Sequence, residues 1–325
     1  MKPRYYIFAI GILLVGFSTG WIMNEKEHGE RPHVLKQVRE NTLGYSLINP
    51  LLYVDTTESN DNEEVELRKK LDHYVDAVKT NNEAKEVSVY YRVLNTGIWT
   101  GVNEDLKYEP SSMLKVLVMI SYYRLLRNAP DALNTLLPYE NKIDAGQTFK
   151  PDTLLPTGKY TAEKLIERMI VHSDNEATDV LVKANQKGFD LVYNTLQLDP
   201  APTDRVRDFL SPKSYSVIFR ILFNSSYLAR RLSDQALQLL TKTTFTKGLV
   251  AGVPSDITVA HKFGEQTLKT ESGTVKERQL HDCGIVYIPE NPYFICVMTK
   301  GYDFDKLEKI IADISKITYN FSAQK

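Results

Sequence analysis

Two cysteines in 325 residues, six histidines without paired spacing and a net charge of −1 exclude several classes of protein at once. Forty basic residues nearly cancel 41 acidic ones, which leaves no electrostatic footprint for a nucleic-acid partner. His28, His33, His73, His172, His261 and His281 are scattered, so no metal-ligand constellation is present and no cofactor is expected. Cys283 and Cys296 fall in consecutive strand-like runs, where a disulfide is conceivable in an oxidising compartment. A domain of this size does not need such a staple, and two buried free thiols are the expectation. Internal repeats and low-complexity tracts are also missing.

What the chain does have begins at its N-terminus. Met1-Lys2-Pro3-Arg4 is basic, and Tyr5 to Met23 is a 19-residue run without a charge, long enough to cross a bilayer. Lys2 and Arg4 should stay on the cytoplasmic side, which places the rest outside. Ser18-Thr19-Gly20 offers small residues for cleavage, giving a secreted form, but the length of the apolar run favours a retained anchor. Residues 24–63 are polar and read as an extracytoplasmic linker, with one apolar island at Tyr45 to Leu52 that could dock on the domain that follows.

A folded domain is expected over residues 64–325. Leu67, Leu71, Tyr74, Val75 and Val78 fall at helical spacing. Glu86 to Leu94, the turn Asn95-Thr96-Gly97 and Ile98 to Val102 read as a β-hairpin. Residues from about 131 to 250 carry mostly helical patterns. Ile257 to Phe263, Asp282 to Ile288 and Tyr293 to Thr299 are β-rich, and a last helix starts near Asp303. Strands at both ends with helices between predict an α+β fold: one mainly antiparallel sheet with a helical insert.

Three short stretches could carry chemistry. In Pro110-Ser111-Ser112-Met113-Leu114-Lys115, a helix from about Ser111 sets Ser112 and Lys115 on one face, with Val116 to Ile120 apolar on every side behind them. Burial favours a neutral amine, which could take the proton of a neighbouring serine. The same Ser-x-x-Lys spacing recurs at Ser322 to Lys325, in what reads as a frayed tail. His172-Ser173-Asp174-Asn175 has the residue types of a helix cap; read functionally, Ser173 is a proton relay, Asn175 a substrate-binding amide, and Asp174 holds the turn. In His261-Lys262-Phe263-Gly264-Glu265, the glycine removes a side chain where a substrate could lie along the strand, and Lys262 could supply positive charge.

Ser112-Met113-Leu114-Lys115, Ser173-Asp174-Asn175 61 residues on, and Lys262-Phe263-Gly264 a further 89 on together resemble the penicillin-recognising serine hydrolases, with a pattern closest to class A β-lactamases. The resemblance spans about Glu64 to Asn320 and implies a β-lactamase/transpeptidase-like fold, a five-stranded sheet flanked by helices, with the site in a cleft. It also implies that Ser112 is the acylated nucleophile, Lys115 its proton acceptor and Ser173 the relay to the leaving nitrogen. Asn175 would position substrate, Lys262 would anchor a carboxylate, and the backbone N–H groups of Ser112 and Glu265 would form the oxyanion hole beside Gly264.

The chain departs from that pattern twice. Phe263 stands where the family has a hydroxyl that binds the substrate carboxylate. The segment Asn194 to Pro202 lacks the glutamate that activates a deacylating water, although Gln197 and Asp199 are nearby. The expectation is a monomeric, membrane-tethered serine hydrolase acting on a β-lactam or D-alanyl peptide-like substrate. A peptidoglycan D,D-peptidase, a catalytically silent wall-peptide binding module and a general esterase are the alternatives.

Overall fold

A computed structural model describes residues 33–39, 44–58, 62–142, 147–151, 153, 155–198 and 207–324. The uncharged run Tyr5–Met23 and Asp199 lie outside them; among the described residues no helix is long and apolar enough to cross a membrane. Strands β1 (His33–Arg39) and β2 (Leu51–Glu58) pair as a separate antiparallel ribbon within the stretch read from sequence as a linker. Helix α1 (Asn62–Thr80) buries Leu67, Leu71, Val75 and Val78 along one stripe. The hairpin β3 (Glu86–Val93) and β4 (Trp99–Val102) follows, turning through Gly97 at φ +84°.

A 3₁₀ turn, Ser111–Leu114, feeds α2 (Lys115–Leu125), in which every residue from Lys115 to Tyr123 is buried. The stretch expected to be helical then opens with a small ribbon, β5 (Leu136–Tyr139) against β6 (Gly158–Thr161). It continues as α3 (Ala162–Val171), α4 (Asn175–Ala184), α5 (Gln186–Thr195), α6 (Pro212–Phe223) and α7 (Arg230–Leu240). Strands β7 (Thr258–Lys269), β8 (Val275–Tyr287) and β9 (Tyr293–Gly301) and helix α8 (Phe304–Ser322) complete the chain. Helix starts are set locally: Thr161, Asp174, Ser211 and Asp303 each accept a backbone N–H at their helix N-termini, and Pro212 stands just inside α6.

Five strands form one antiparallel sheet in the order β4-β3-β9-β8-β7, so the early hairpin joins the C-terminal strands, as an α+β fold requires. Alternation along the strands divides the core. On β9, Phe294, Cys296 and Met298 pack with α2, α3 and α6, whereas Tyr293, Ile295 and Val297 pack with α1 and α8.

Two expectations are corrected. Cys283 and Cys296 are not free thiols: they face each other across β8 and β9 with Cα atoms 4.0 Å apart and form a disulfide. Domain size argues about the need for a bridge and says nothing about register, which is what brings these sulfurs together. Nor does Ser322 sit in a frayed tail, since it is buried in α8, where Tyr91 Oη lies 2.9 Å from its hydroxyl and the Thr318 carbonyl accepts its O–H.

The apolar island docks on the domain. Leu47 and Ile48 are buried, the Leu47 N–H donates to Asp234 at 3.3 Å, and Tyr287 donates to the Leu47 carbonyl at 2.9 Å. Arg39 fastens the ribbon to the body by donating to the carbonyls of Asn49 and Leu94 and to Asn224 Oδ1, with its guanidinium over the Phe223 ring. Burial and nearby Arg92 push its pKa down to about 10. Arg39→Ala is expected to lower stability by about 2–3 kcal/mol, because hydrogen bonds from a charged donor are lost and buried carbonyls are left without it; the urea midpoint measures this.

Candidate active site

Ser112 lies in the 3₁₀ turn at the head of the buried helix α2, one turn before Lys115. The preceding residue, Ser111, has φ +48°, a left-handed conformation that costs a residue with a side chain roughly 1–2 kcal/mol. The turn is held in that shape by the Met113 N–H to Pro110 O bond, 3.0 Å, and by the buried Tyr215 hydroxyl, which donates to Met113 O at 2.9 Å. Gly264 of β7 lies flat against it. A Cβ there would fall 2.6 Å from Pro110 O and 3.3 Å from Met113 N, so the strand reaches the serine turn only because this residue has no side chain.

Ser173 sits between α3 and α4, also left-handed at φ +55°. Its neighbour Asp174 is the N-cap of α4: Oδ1 accepts the Ala177 N–H at 3.0 Å, while Oδ2 accepts from Tyr139 at 3.0 Å and from Arg168 at 3.4 Å. All three side chains are buried, so Asp174 holds the turn, the part foreseen for it.

That turn aims Ser173 Oγ between two amines. Lys115 Nζ donates to Ser173 O at 2.7 Å, to Asn175 Oδ1 at 2.6 Å and to Ser173 Oγ at 3.1 Å; Lys262 Nζ lies 3.0 Å from the same Oγ and 3.0 Å from Phe263 O. Lys262 is fully buried, and its pKa is pushed well below the ordinary lysine value, first by desolvation and then by the charge on Lys115; Asp282 and Glu265 oppose the shift. The hydrogen-bond geometry accommodates one charged and one neutral amine. With the proton on Lys115, that ammonium donates to Ser173 O, Asn175 Oδ1 and Ser173 Oγ while the Ser173 hydroxyl donates to Lys262. With the proton on Lys262, that ammonium donates to Ser173 Oγ and Phe263 O while the hydroxyl donates to Lys115.

Ser111, Ser112, Leu114, Lys115, Asn175 and Glu265 help line a cavity of about 390 Å³. Of the residues singled out in the sequence, Ser112, Lys115, Asn175 and Glu265 thus share one hollow, Ser173 and Lys262 join it from behind through hydrogen bonds, and Gly264 supports its floor. Lys262 does not line the cavity, and its amine is engaged inside the protein rather than presented to a ligand carboxylate.

Phe263 stands apart from the substrate space as well. Its ring stacks on Phe245 with centroids 4.4 Å apart, meets Phe149 edge-on at 5.7 Å, and lies 4.2 Å beneath Lys262 Nζ. An apolar residue at 263 therefore extends the core below the sheet and is not among the residues that line the cavity. His261, which flanks the motif, is buried with Nδ1 2.8 Å from Asp282 Oδ1, and Asp282 Oδ2 accepts the Leu249 N–H at 2.9 Å.

Sequence reasoning missed a segment that is bonded to two of the site residues, Ser173 and Glu265. Gln147 Nε2 donates to Ser173 O at 3.1 Å, and Glu265 Oε1 accepts the N–H groups of Thr148 and Phe149 at 2.9 and 2.8 Å. No local pattern marks these residues; the aromatic spacing of Phe149, Phe245, Phe263 and Phe304 is visible only once the chain is folded.

The buried amine makes stability depend on pH. Between the lowered pKa of Lys262 and the ordinary lysine value of 10.5, the unfolded chain binds more protons than the folded one, so stability rises with pH across that window. Lys262→Met removes the titrating group and is expected to flatten this rise in urea midpoints measured from neutral pH to about pH 10. An unchanged slope would show that Lys262 is not its source.

Comparison with known proteins adds to this geometry. A family model for the β-lactamase enzyme family matches residues 66–322. β-Lactamase VEB-1 of Pseudomonas aeruginosa is 27% identical over 165 residues, covering 46% of this chain and 48% of the relative. The chain thus spans about half the length of that curated relative. Among solved structures, a PBP-A mutant in an acyl-enzyme complex with penicillin G superposes with a TM-score of 0.67 at 19% identity, covering 80% of this chain and 97% of the other. The extended-spectrum β-lactamase TLA-3 gives 0.67 at 20% identity, covering 79% and 98%. A β-lactamase from Chitinophaga pinensis DSM 2588 gives 0.66 at 18% identity, covering 80% and 100%. At these identities the solved structures establish the shared fold.

Proposed function

The chain belongs to the β-lactamase enzyme family, and from that premise we propose that it is a membrane-tethered, extracytoplasmic serine hydrolase that cleaves a β-lactam or related amide through an acyl-Ser112 intermediate. The observation that carries this reading is the single hydroxyl of Ser173 held between two lysine amines, 3.1 Å from Lys115 and 3.0 Å from Lys262, behind a cavity that contains Ser112. Such a bridge lets one proton be shared: Lys115 passes a proton to Ser173 Oγ while Ser173 passes its own to Lys262. Lys115 is then neutral and can take the proton of Ser112 as Oγ attacks the substrate carbonyl. When the C–N bond breaks, the same bridge returns a proton to the departing nitrogen, so the amines end as they began. Asn175, its Oδ1 bonded to Lys115, is placed to position the substrate, and backbone N–H groups at Ser112 and Glu265 would stabilise the developing oxyanion.

The uncharged N-terminal run supports an anchor, and the Cys283–Cys296 disulfide fits an oxidising compartment. Recovery of the intact chain in the membrane fraction, with its domain open to external protease, would bear this out; a soluble cytoplasmic chain would contradict it.

Intact mass measured after exposure to a chromogenic β-lactam tests the chemistry. A mass increment on the wild type, absent from Ser112→Ala, is expected; no increment and no colour would overturn the assignment. Sustained colour release marks a β-lactamase, whereas one burst with a lasting adduct marks a D,D-peptidase-like enzyme. The acylation rate is also expected to rise with pH, because at low pH both amines are charged and no base remains. A profile that stays flat from acid pH up to the ordinary lysine value of 10.5 would remove the two-lysine mechanism.

A further inference from the structure

The wall of the cavity is asymmetric. On the side formed by the serine turn, α2, α4 and α5 stand Leu114, Val118, Val182 and Phe189. On the β7 side stand Glu265 and Gln266. Among the described lining residues, Lys115 is the cation and Glu265 the anion, and the Lys115 amine is engaged with Ser173 and Asn175.

The leaving half of a substrate must face the bridge that protonates it, Ser173 with Lys262 behind. Glu265 stands on that same side. Its Oε1 is pinned by the N–H groups of Thr148 and Phe149, next to Gln147, which donates to Ser173 O. Its charge is also felt by Lys262. Whatever positive potential that buried amine could show an incoming carboxylate is therefore offset by a carboxylate three residues along the strand. Residue 263 supplies no hydroxyl there, because it is a phenylalanine turned into the core.

We propose that Glu265 sets the charge specificity of the site, directing it to acyl substrates with an uncharged leaving half and an apolar acyl group resting on Leu114, Val118, Val182 and Phe189. This rests on Ser112 being the nucleophile. Substrates bearing a carboxylate beside the scissile bond, β-lactams among them, still acylate Ser112 but more slowly than neutral amides, esters or thioesters with the same acyl group.

Two thioesters that share a phenylacetylglycyl group test this, one with a thioglycolate leaving group (anionic) and one with thioglycolamide (neutral). In each, Ser112 Oγ bonds to the acyl carbon as the C–S bond breaks, and the serine proton leaves on the thiol. The readout is the ratio of second-order acylation rates, anionic over neutral, with the adduct located on Ser112 by mass. Glu265→Gln keeps an oxygen to accept the Thr148 and Phe149 N–H groups and removes the charge. The ratio is expected to lie well below one for the wild type, to rise about tenfold in Glu265→Gln, and to rise with added salt in the wild type alone. Acylation of both proteins with an unmoved ratio overturns the role of Glu265 and leaves the nucleophile intact. If neither thioester marks Ser112, the hydrolase reading fails and this inference falls with it.

Discussion

Two lysines converge on one serine hydroxyl inside the protein, and much of the surrounding structure serves to keep them there. Two ammonium groups so close, one of them fully buried, would repel each other and both forfeit water. The arrangement survives because a proton can be absent from one of them without leaving any hydrogen-bonding group unmatched. When Lys262 does carry the proton, the face of the Phe263 ring beneath its amine and Asp282 and Glu265 nearby stabilise the charge. Phe263 thus departs from the family pattern in chemistry while supporting the same lysine.

Each part of the motif set is short, and its local form was legible. Ser112 and Lys115 had to share a helical face, the Val116–Ile120 run had to be buried, and Asp174 had the chemistry of a cap; all three hold in the structure. The order of elements and the joining of early and late strands in one sheet were also readable from strand and helix periodicities. What could not be read depends on which distant residues meet. The Cys283–Cys296 bridge follows from strand register, the clamp of Glu265 on residues 148 and 149 spans more than a hundred residues, and the aromatic cluster under β7 draws on four separate segments. Arg39 is the same kind of case: within a polar stretch it resembles any solvated charge until Asn224 and the Leu94 carbonyl are placed around it.

Strain and burial concentrate at the same positions. Ser111 and Ser173 both occupy left-handed backbone conformations that side chains disfavour; Ser111 lines the cavity and Ser173 is bonded to Lys115 behind it. Neither could be sustained by local sequence, since isolated residues would relax to ordinary φ values at a gain of roughly 1–2 kcal/mol each. The opposing terms are tertiary. Tyr215 holds the Ser112 turn through Met113, Gly264 presses strand β7 against it, and Arg168, Tyr139 and Asp174 lock the Ser173 turn.

This division of labour explains why the site sits at the junction of the two core halves rather than within either. Strand β7 contributes to both: Ala260 packs with the helices around α2, Phe263 packs with α8, and Lys262 between them reaches the Ser173 hydroxyl. A lysine placed in the middle of one apolar layer would have no polar partners, and one at the surface would keep its ordinary charge and shield nothing. At the seam it is dry enough for its pKa to be pushed well down and is still within 3.0 Å of the Ser173 hydroxyl. The sheet edge, the serine turn and the capped helix α4 are each ordinary pieces of structure; their meeting at one oxygen atom gives two buried amines a shared hydrogen-bond partner.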